Sequence, residues 1–521
     1  MKNLWCIVII FLFLGGAIAV YACVSPPPPP PSTVNVTTYH NDNLRTGWNS
    51  NETLLTASSF PAAFALQHSV VVDDQIDAEP LYLNNVFMLG APHNVVYTVT
   101  ENNTIYAIDA DTGNVLNSRN FGAPRATPLG CTNNGPNVGI NSTPVIDTST
   151  SPPTMYVVAY LGAGPSYQIH AIDVTTLADV VPAKTISASH TLVDSTNYNF
   201  NASVQRQRAA LLLQDGNVYV AFTSFCDDSP GSTRGWVIGY SVNTLTPLTA
   251  NELTDTQNTG GYYMATIWMS GYGLAGISGS PGSIYFLTGN GGSGTYNGTT
   301  SVQESALNLN DSTFAINHIF TEPAPGTLDS GDTDFGSGGF GLLPDSAGTS
   351  PHLGVAAGKD GIIYLLNRDT LAQIASYPQS GTFAQVGCLC GPDYYIGSDS
   401  LPRVVTSLGS TLAIWKVTTT ALTLDHSVGT IATSSVAPGF FTAVSSNGTT
   451  SGSHIIWVVG KHDPLILYAY DTTLTKLFQA NAGAWSFIAV GSGASPNIVP
   501  LVANGRVYVG AYKVLSIFGV N

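Results

Sequence analysis

A short unit recurs along this chain, and it limits the fold more than any other feature. Its clearest copy is the stretch 95–118, VVYTVTENNTIYAIDADTGNVLNS. Val95, Tyr97 and Val99 alternate with Val96, Thr98 and Thr100, the period of two of a β-strand built from β-favouring residues. Glu101-Asn102-Asn103 supplies a hairpin turn, since Asn tolerates the left-handed conformation. Ile105–Ile108 is the second strand, and Asp109-Ala110-Asp111-Thr112-Gly113 closes it. The Asp109 carboxylate can accept from backbone N–H groups ahead of it, and Gly113 can take a positive φ. Copies of this second half run over 169–177, 237–245, 363–371 and 467–474, with weaker ones at 306–308, 414–416 and 516–519. The turn position thus falls at 109, 173, 241, 308, 367, 416, 471 and 519, in steps of 48 to 68 residues.

Repeats of about 40–50 residues, each a small antiparallel sheet, mark a β-propeller. The longer steps carry loop insertions, and no amphipathic helical pattern lies between the copies. The spacing predicts an all-β, eight-bladed propeller of four-stranded antiparallel blades, or seven blades if a weak copy is false. In a closed propeller the N-terminal segment adds a strand to the last blade and removes an open edge. Ser69–Val72 beside Val507–Val514 would do this here.

Composition bounds the function. The chain has 521 residues with 53 Gly and 31 Pro, and only 9% are charged, which suits many turns and few long helices. The net charge of −16 reflects a shortage of Lys and Arg, with no basic cluster. Nucleic acid is excluded as a partner, because phosphate binding needs a basic patch.

Residues 1–22 read as a targeting signal: Lys2 is the positive end, Leu4–Val20 the apolar run, and Ala22 the small residue at the cleavage position. The segment is similar to a bacterial lipoprotein signal, which would leave Cys23 lipidated. The other reading is an ordinary secretory signal cut after Ala22. A retained anchor is disfavoured because the apolar run is short for a spanning helix. Residues 23–34 would then be anchor and tether, with Pro26–Pro31 a stiff spacer of roughly 3 Å per residue, and 35–521 a single propeller domain. The expected location is periplasmic or cell-surface. Of six Cys, Cys131, Cys226, Cys388 and Cys390 remain for disulfides, with three pairings open. Cys388-Leu389-Cys390 could not close on itself without strain, which favours cross-loop bonds. No Cys-x-x-Cys-His, HExxH or Gly-x-Ser-x-Gly occurs.

The AIDADTG-type repeat resembles the quinoprotein alcohol dehydrogenase-like propellers over nearly the whole mature chain. In that family's enzymes pyrroloquinoline quinone sits in the channel beside calcium, above a floor Trp. An acidic residue and an Asn bind the metal, an Asp is the general base, and two adjacent disulfide-bonded Cys form a lid. By this resemblance Thr266-Ile267-Trp268 gives the floor in Trp268, and Thr288-Gly289-Asn290 gives the metal-binding Asn290. Cys226-Asp227-Asp228 gives the acidic metal ligand, Asp227, followed by Arg234-Gly235; Lys359 is the basic residue at the quinone, as Arg234 also would be. A flat aromatic stacks a flat cofactor, oxygen ligands suit a hard cation, and a cation polarises a quinone oxygen.

Two departures weigh against catalysis. No adjacent Cys pair exists, and Asn308 stands where the resemblance puts the catalytic Asp. An amide cannot accept a proton as a general base; Asp311 or Glu304 would serve only in another register. Each candidate also has a structural reading: Trp268 as a core aromatic, Asn290 as a turn residue, Asp227 on a solvated loop, Lys359 at a hairpin with Asp360-Gly361. The loop 332–339, with paired acids and glycines, is either a cation site or a turn-rich strand entry. Gln205-Arg206-Gln207-Arg208 either lines the channel mouth or pairs with its acids. The resulting expectation is a binding or scaffold module of the cell envelope, taking envelope proteins or a small molecule in its channel. The resemblance extends to propeller lipoproteins that scaffold outer-membrane assembly. The alternatives are a calcium- and pyrroloquinoline quinone-dependent alcohol or sugar dehydrogenase, and a carbohydrate- or peptide-binding propeller.

Overall fold

The computed structural model describes residues 5–13, 16–24, 34–60, 64–126, 137–225, 233–258, 264–292, 296–345, 352–377, 391–429, 431–433, 439–460, 462–485 and 497–520. Pro26–Pro31, Asp227, Cys131, Cys226, Cys388 and Cys390 lie outside them.

Eight antiparallel sheets follow one another as blades. They cover residues 81–120, 145–185, 205–253, 275–321, 340–377, 393–429, 440–483, and finally 501–520 with 64–75. The count is eight, not seven. Blades 1, 2, 4, 5 and 6 have four strands. Blade 3 has five, because its innermost strand is broken into Gln205–Arg206 and Leu212–Gln214. Blade 7 gains Trp48–Asn49 in parallel, and blade 8 has three strands. The blade-8 closure joins the two ends of the chain: Val71 pairs with Val514, Val70 with Leu515 and Ser69 with Ser516. The partner of Ser69–Val72 is therefore the stretch from Val514 onward rather than Val507–Val514, because a register shift at Lys513, with φ of 59°, separates the two halves of the last strand.

The period of two serves two interfaces at once. Val95, Tyr97 and Val99 pack with Ile146, Met155 and Val157 of blade 2. Val96 and Ile108 point the other way and pack with Leu501, Tyr508 and Leu515 of blade 8. Similar apolar clusters join each blade to the next around the ring. Burying one such side chain contributes roughly 1.5–3 kcal/mol, so a blade gains most of its stability from its two neighbours.

The turns between third and fourth strands follow the Asp109 pattern. Asp109 Oδ1 accepts from the N–H groups of Asp111 (2.9 Å) and Thr112 (2.8 Å), and Gly113 has φ of 73°. Asp173, Asn367 and Asp471 do the same in their blades. In blade 4 the turn opens at Asn310, whose Oδ1 accepts from Ser312 and Thr313. Asn308, expected at this turn, lies two residues earlier inside the strand Ser305–Asn310, opposite Tyr285 and His318. Lys416 is likewise still in its strand, paired with Arg403 and Thr423, and Gly519 pairs with Ala65. Asn-Leu-Asn and Trp-Lys-Val-Thr offer two polar positions each, and only the hydrogen bonds choose between them; Gly519 instead belongs to the closing strand pair.

The lead-in segment is a belt around the channel interior. It bonds to the innermost strand of every blade in turn: Val36 to Tyr82, Thr37 O to Ile146, Asn43 to Leu213 and Gly276, Leu44 O to Leu342, Thr46 O to Tyr394, Gly47 O to Val444, and Asn49 Nδ2 to Val502 O. Arg45 is wholly buried within it and donates to Thr38 Oγ1, Tyr39 O, Leu211 O and Leu274 O. Sequence alone gave this segment no role beyond a lead-in.

Outside the propeller, Trp5–Phe13 and Gly16–Val24 pair as an antiparallel hairpin. Among the described residues no helix is long and apolar enough to cross a membrane.

Candidate functional site

Antiparallel strands put alternate connections at opposite ends of a blade. The Asp109-type turns therefore lie on one face of the ring. The connections between second and third strands, and those from one blade to the next, lie on the other. Arg234, Trp268, Asn290 and Lys359 all sit in connections of this second face.

Trp268 lies in the link from blade 3 to blade 4, which is pinned by Gly289 N–H donating to Thr266 O and Ser270 Oγ to Ser337 O. The Arg206 guanidinium stands over its ring, 5.0 Å from the centroid. Arg206 Nε donates to Asn141 Oδ1 (2.8 Å), and Arg208 Nη1 donates to the Asn141 carbonyl (2.9 Å). Asn141 Nδ2 in turn donates to Asp77 Oδ2 and Glu101 Oε1. Burial, and the Asp77 charge beside it, push the Glu101 carboxyl well above the usual range. Asp77 keeps one buried oxygen, Oδ1, without a partner.

Asn290 and Lys359 meet at one acid. Asn290 Nδ2 donates to Asp332 Oδ1 at 3.0 Å, and Lys359 Nζ lies 3.2 Å from the same oxygen and 2.6 Å from Asp334 Oδ1. Burial pushes the Lys359 ammonium down, but Asp334 and Asp332 together outweigh it and hold it above its usual range. The Asp-rich loop is thus closed on a lysine. Glu304 beside it is buried and accepts from Phe335 N–H through Oε2 at 2.6 Å. Burial and the Asp334 charge hold its carboxyl well above the usual range.

Arg234 stands apart from these groups. It forms an ion pair with Asp255 at 2.9 Å, both fully buried, and also donates to Asp255 O and Gln257 O, with its guanidinium 4.8 Å from the Tyr198 ring centroid. Burial pushes Asp255 up to about 6, against the pull of Arg234. Asn308 accepts from Asn317 Nδ2 through its Oδ1 at 3.2 Å, within blade 4.

Sequence reasoning missed Asp77, Glu101 and Asn141. One available signal was Glu101, an acid in a hairpin turn otherwise made by Asn. Another was the placement of two of only 16 basic residues at 206 and 208.

No family model matches the chain, and no curated protein does. Solved structures do. A quinohemoprotein alcohol dehydrogenase from Pseudomonas putida HK5 superposes with a TM-score of 0.62 at 13% identity, over 93% of this chain and 80% of that one. The fold is that of the quinoprotein alcohol dehydrogenase propellers. A quinohemoprotein alcohol dehydrogenase from Comamonas testosteroni gives 0.60 at 14% identity, over 93% and 80%. A europium-containing methanol dehydrogenase gives 0.58 at 12%, over 93% of this chain and 98% of that chain.

The side chains of this quinoprotein-type propeller fit a quinone and calcium poorly. One indole face of Trp268 carries an arginine, Arg234 is spent on Asp255, and Lys359 is spent on two carboxylates. Among the described residues no group of three His, Cys, Asp or Glu is arranged to hold a metal. Asn290 Oδ1 and Glu304 Oε1, both buried without a hydrogen-bond partner, are oxygens suited to a cation.

Proposed function

We propose that the protein is an exported propeller, lipid-anchored through Cys23 and held off the membrane by its Pro-rich tether. It acts as a binding or scaffold module of the cell envelope. One observation carries this reading: Arg206 occupies one face of the Trp268 ring, the kind of surface on which a flat cofactor would stack. The ion pairs of Arg234 and Lys359 support it, because each already spends its positive charge on buried carboxylate. The ligand or partner would engage the loop-bearing face.

A second reading, a calcium- and pyrroloquinoline quinone-dependent dehydrogenase, is favoured by the orphaned Asn290 Oδ1 and Glu304 Oε1. Titration of purified full-length protein with the quinone and calcium separates the two. The binding reading expects no saturable quenching of Trp emission and no calcium-dependent rise in melting temperature. Saturable quenching that is lost in Trp268→Ala would overturn it.

A further inference from the structure

The inner strand of blade 3 brings two arginines to the same point of the channel mouth. Arg206 ends the short strand Gln205–Arg206, and Arg208 lies two residues on, in the break before Leu212–Gln214. Asn141 then fixes the pair, taking Arg206 on its side-chain oxygen and Arg208 on its backbone oxygen. Both arginines are 3% exposed, and neither forms an ion pair among the described residues. Arg206 keeps both terminal nitrogens, and Arg208 keeps Nε and Nη2, without a protein acceptor among those residues. None of these nitrogens is fully buried without a partner, so each keeps some contact with solvent.

We infer that Arg206 and Arg208, steered by Asn141 and floored by Trp268, form a site for an oxyanion, the carboxylate or phosphate group of the ligand this propeller binds. The inference rests on the binding-module reading and names the ligand chemistry of that site. Buried guanidinium groups with free forked donors are strong partners for such anions. Of the acids nearby, Asp77 and Glu101 share Asn141 with Arg206, and burial raises the Glu101 carboxyl well above its usual range and pushes Glu79 up to about 8, which limits the negative charge set against the two arginines.

Trp268 gives the readout, since an anion on Arg206 alters the cation above its ring. Purified full-length protein is titrated with inorganic phosphate and with acetate, at ionic strength held constant with KCl. The expected result is a saturable emission change that Trp268→Phe abolishes and that Arg206→Gln weakens by roughly tenfold or more. Tighter binding of phosphate than of acetate assigns a phosphate-bearing ligand, and the reverse assigns a carboxylate. If Arg206→Gln does not fold, Arg208→Lys keeps the charge, loses the fork, and should also weaken binding. A response no different from that to KCl, or an unchanged midpoint in the folded variants, overturns the site. Quinone binding would overturn the function proposed above and leave the phosphate and acetate result to stand or fall by itself.

Discussion

Arg234 and Asp255 face each other at 2.9 Å, Nη1 to Oδ1, and both side chains are sealed from water. A pair in that position is costly to break from one side, because the surviving charge stays buried. Arg234→Ala should therefore lower stability by about 3–5 kcal/mol in urea unfolding. The double change Arg234→Met with Asp255→Leu should recover most of the loss. An Arg234→Ala protein as stable as the parent would show that the arginine is held for a ligand instead.

Lys359 is the cation for Asp332 and Asp334, and Asp334 is buried. Lys359→Met leaves that carboxylate without its counter-charge, with the Ser337 hydroxyl as a remaining donor, and should cost about 3 kcal/mol. Lys359→Arg, which keeps the charge, should cost less. Equal melting temperatures for the Met and Arg variants would contradict the assignment.

Gly47 is the tightest point of the belt. Its φ is +65°, and a Cβ there would lie 1.9 Å from Asp393 Oδ1 and 3.1 Å from His40 Nδ1. Asp393 is fully buried, so it has little room to move. Gly47→Ala should destabilise by about 3 kcal/mol, strain and overlap combined. Gly90→Ala, with φ of +87° and nothing within 4 Å, carries backbone strain alone and should cost about 1 kcal/mol. Calorimetry on the two variants separates the contributions.

Two groups that meet at the belt, Glu79 and His40, set opposite pH limits. Burial pushes Glu79 from the usual 4.5 up to about 8, with Asp393 adding to the rise and the His40 N–H and Arg45 opposing it. The folded state keeps a proton that the unfolded chain releases, so this contribution is full below pH 4.5 and is lost as pH rises through about 8. Burial, and then the Arg45 charge, bring His40 from 6.5 down to about 3. Its contribution is full above pH 6.5 and is lost as pH falls toward 3. Each slope is at most about 1.4 kcal/mol per pH unit. Glu79→Gln should flatten the stability curve between pH 4.5 and 8, and His40→Gln should flatten it between 6.5 and 3, both followed by denaturant titration. Unchanged curves would refute both assignments.

Much of the fold was legible in the repeat. The Asp109, Asp173 and Asp471 turns stand where the side-chain pattern put them, because an Asx turn is a local event of four or five residues. Blade 4 shows the limit. Asn308 and Asn310 are equivalent on local grounds, and strand pairing with Tyr285 decided that the turn begins at 310. Arg234, Trp268, Asn290 and Lys359 all lie in connections of one face, but the partners they meet there were not legible. Nothing near Arg234 or Lys359 in the sequence marks Asp255, 21 residues on, or Asp332, 27 residues back, as its counter-charge.

The sequence by itself determined the blade unit and a ring closed by its two chain ends, since alternation, turn chemistry and repeat length act over a few residues at a time; it left eight or seven copies open and misplaced the register of the closing pair. Only the tertiary structure decided the state of the channel. Residues 36–49 bind all eight inner strands, and Arg206 meets Trp268 across two loops, through contacts between residues far apart in the chain. Such contacts exist only once the ring has closed and brought those loops to a common axis, and no local pattern encodes which buried charges will then find each other.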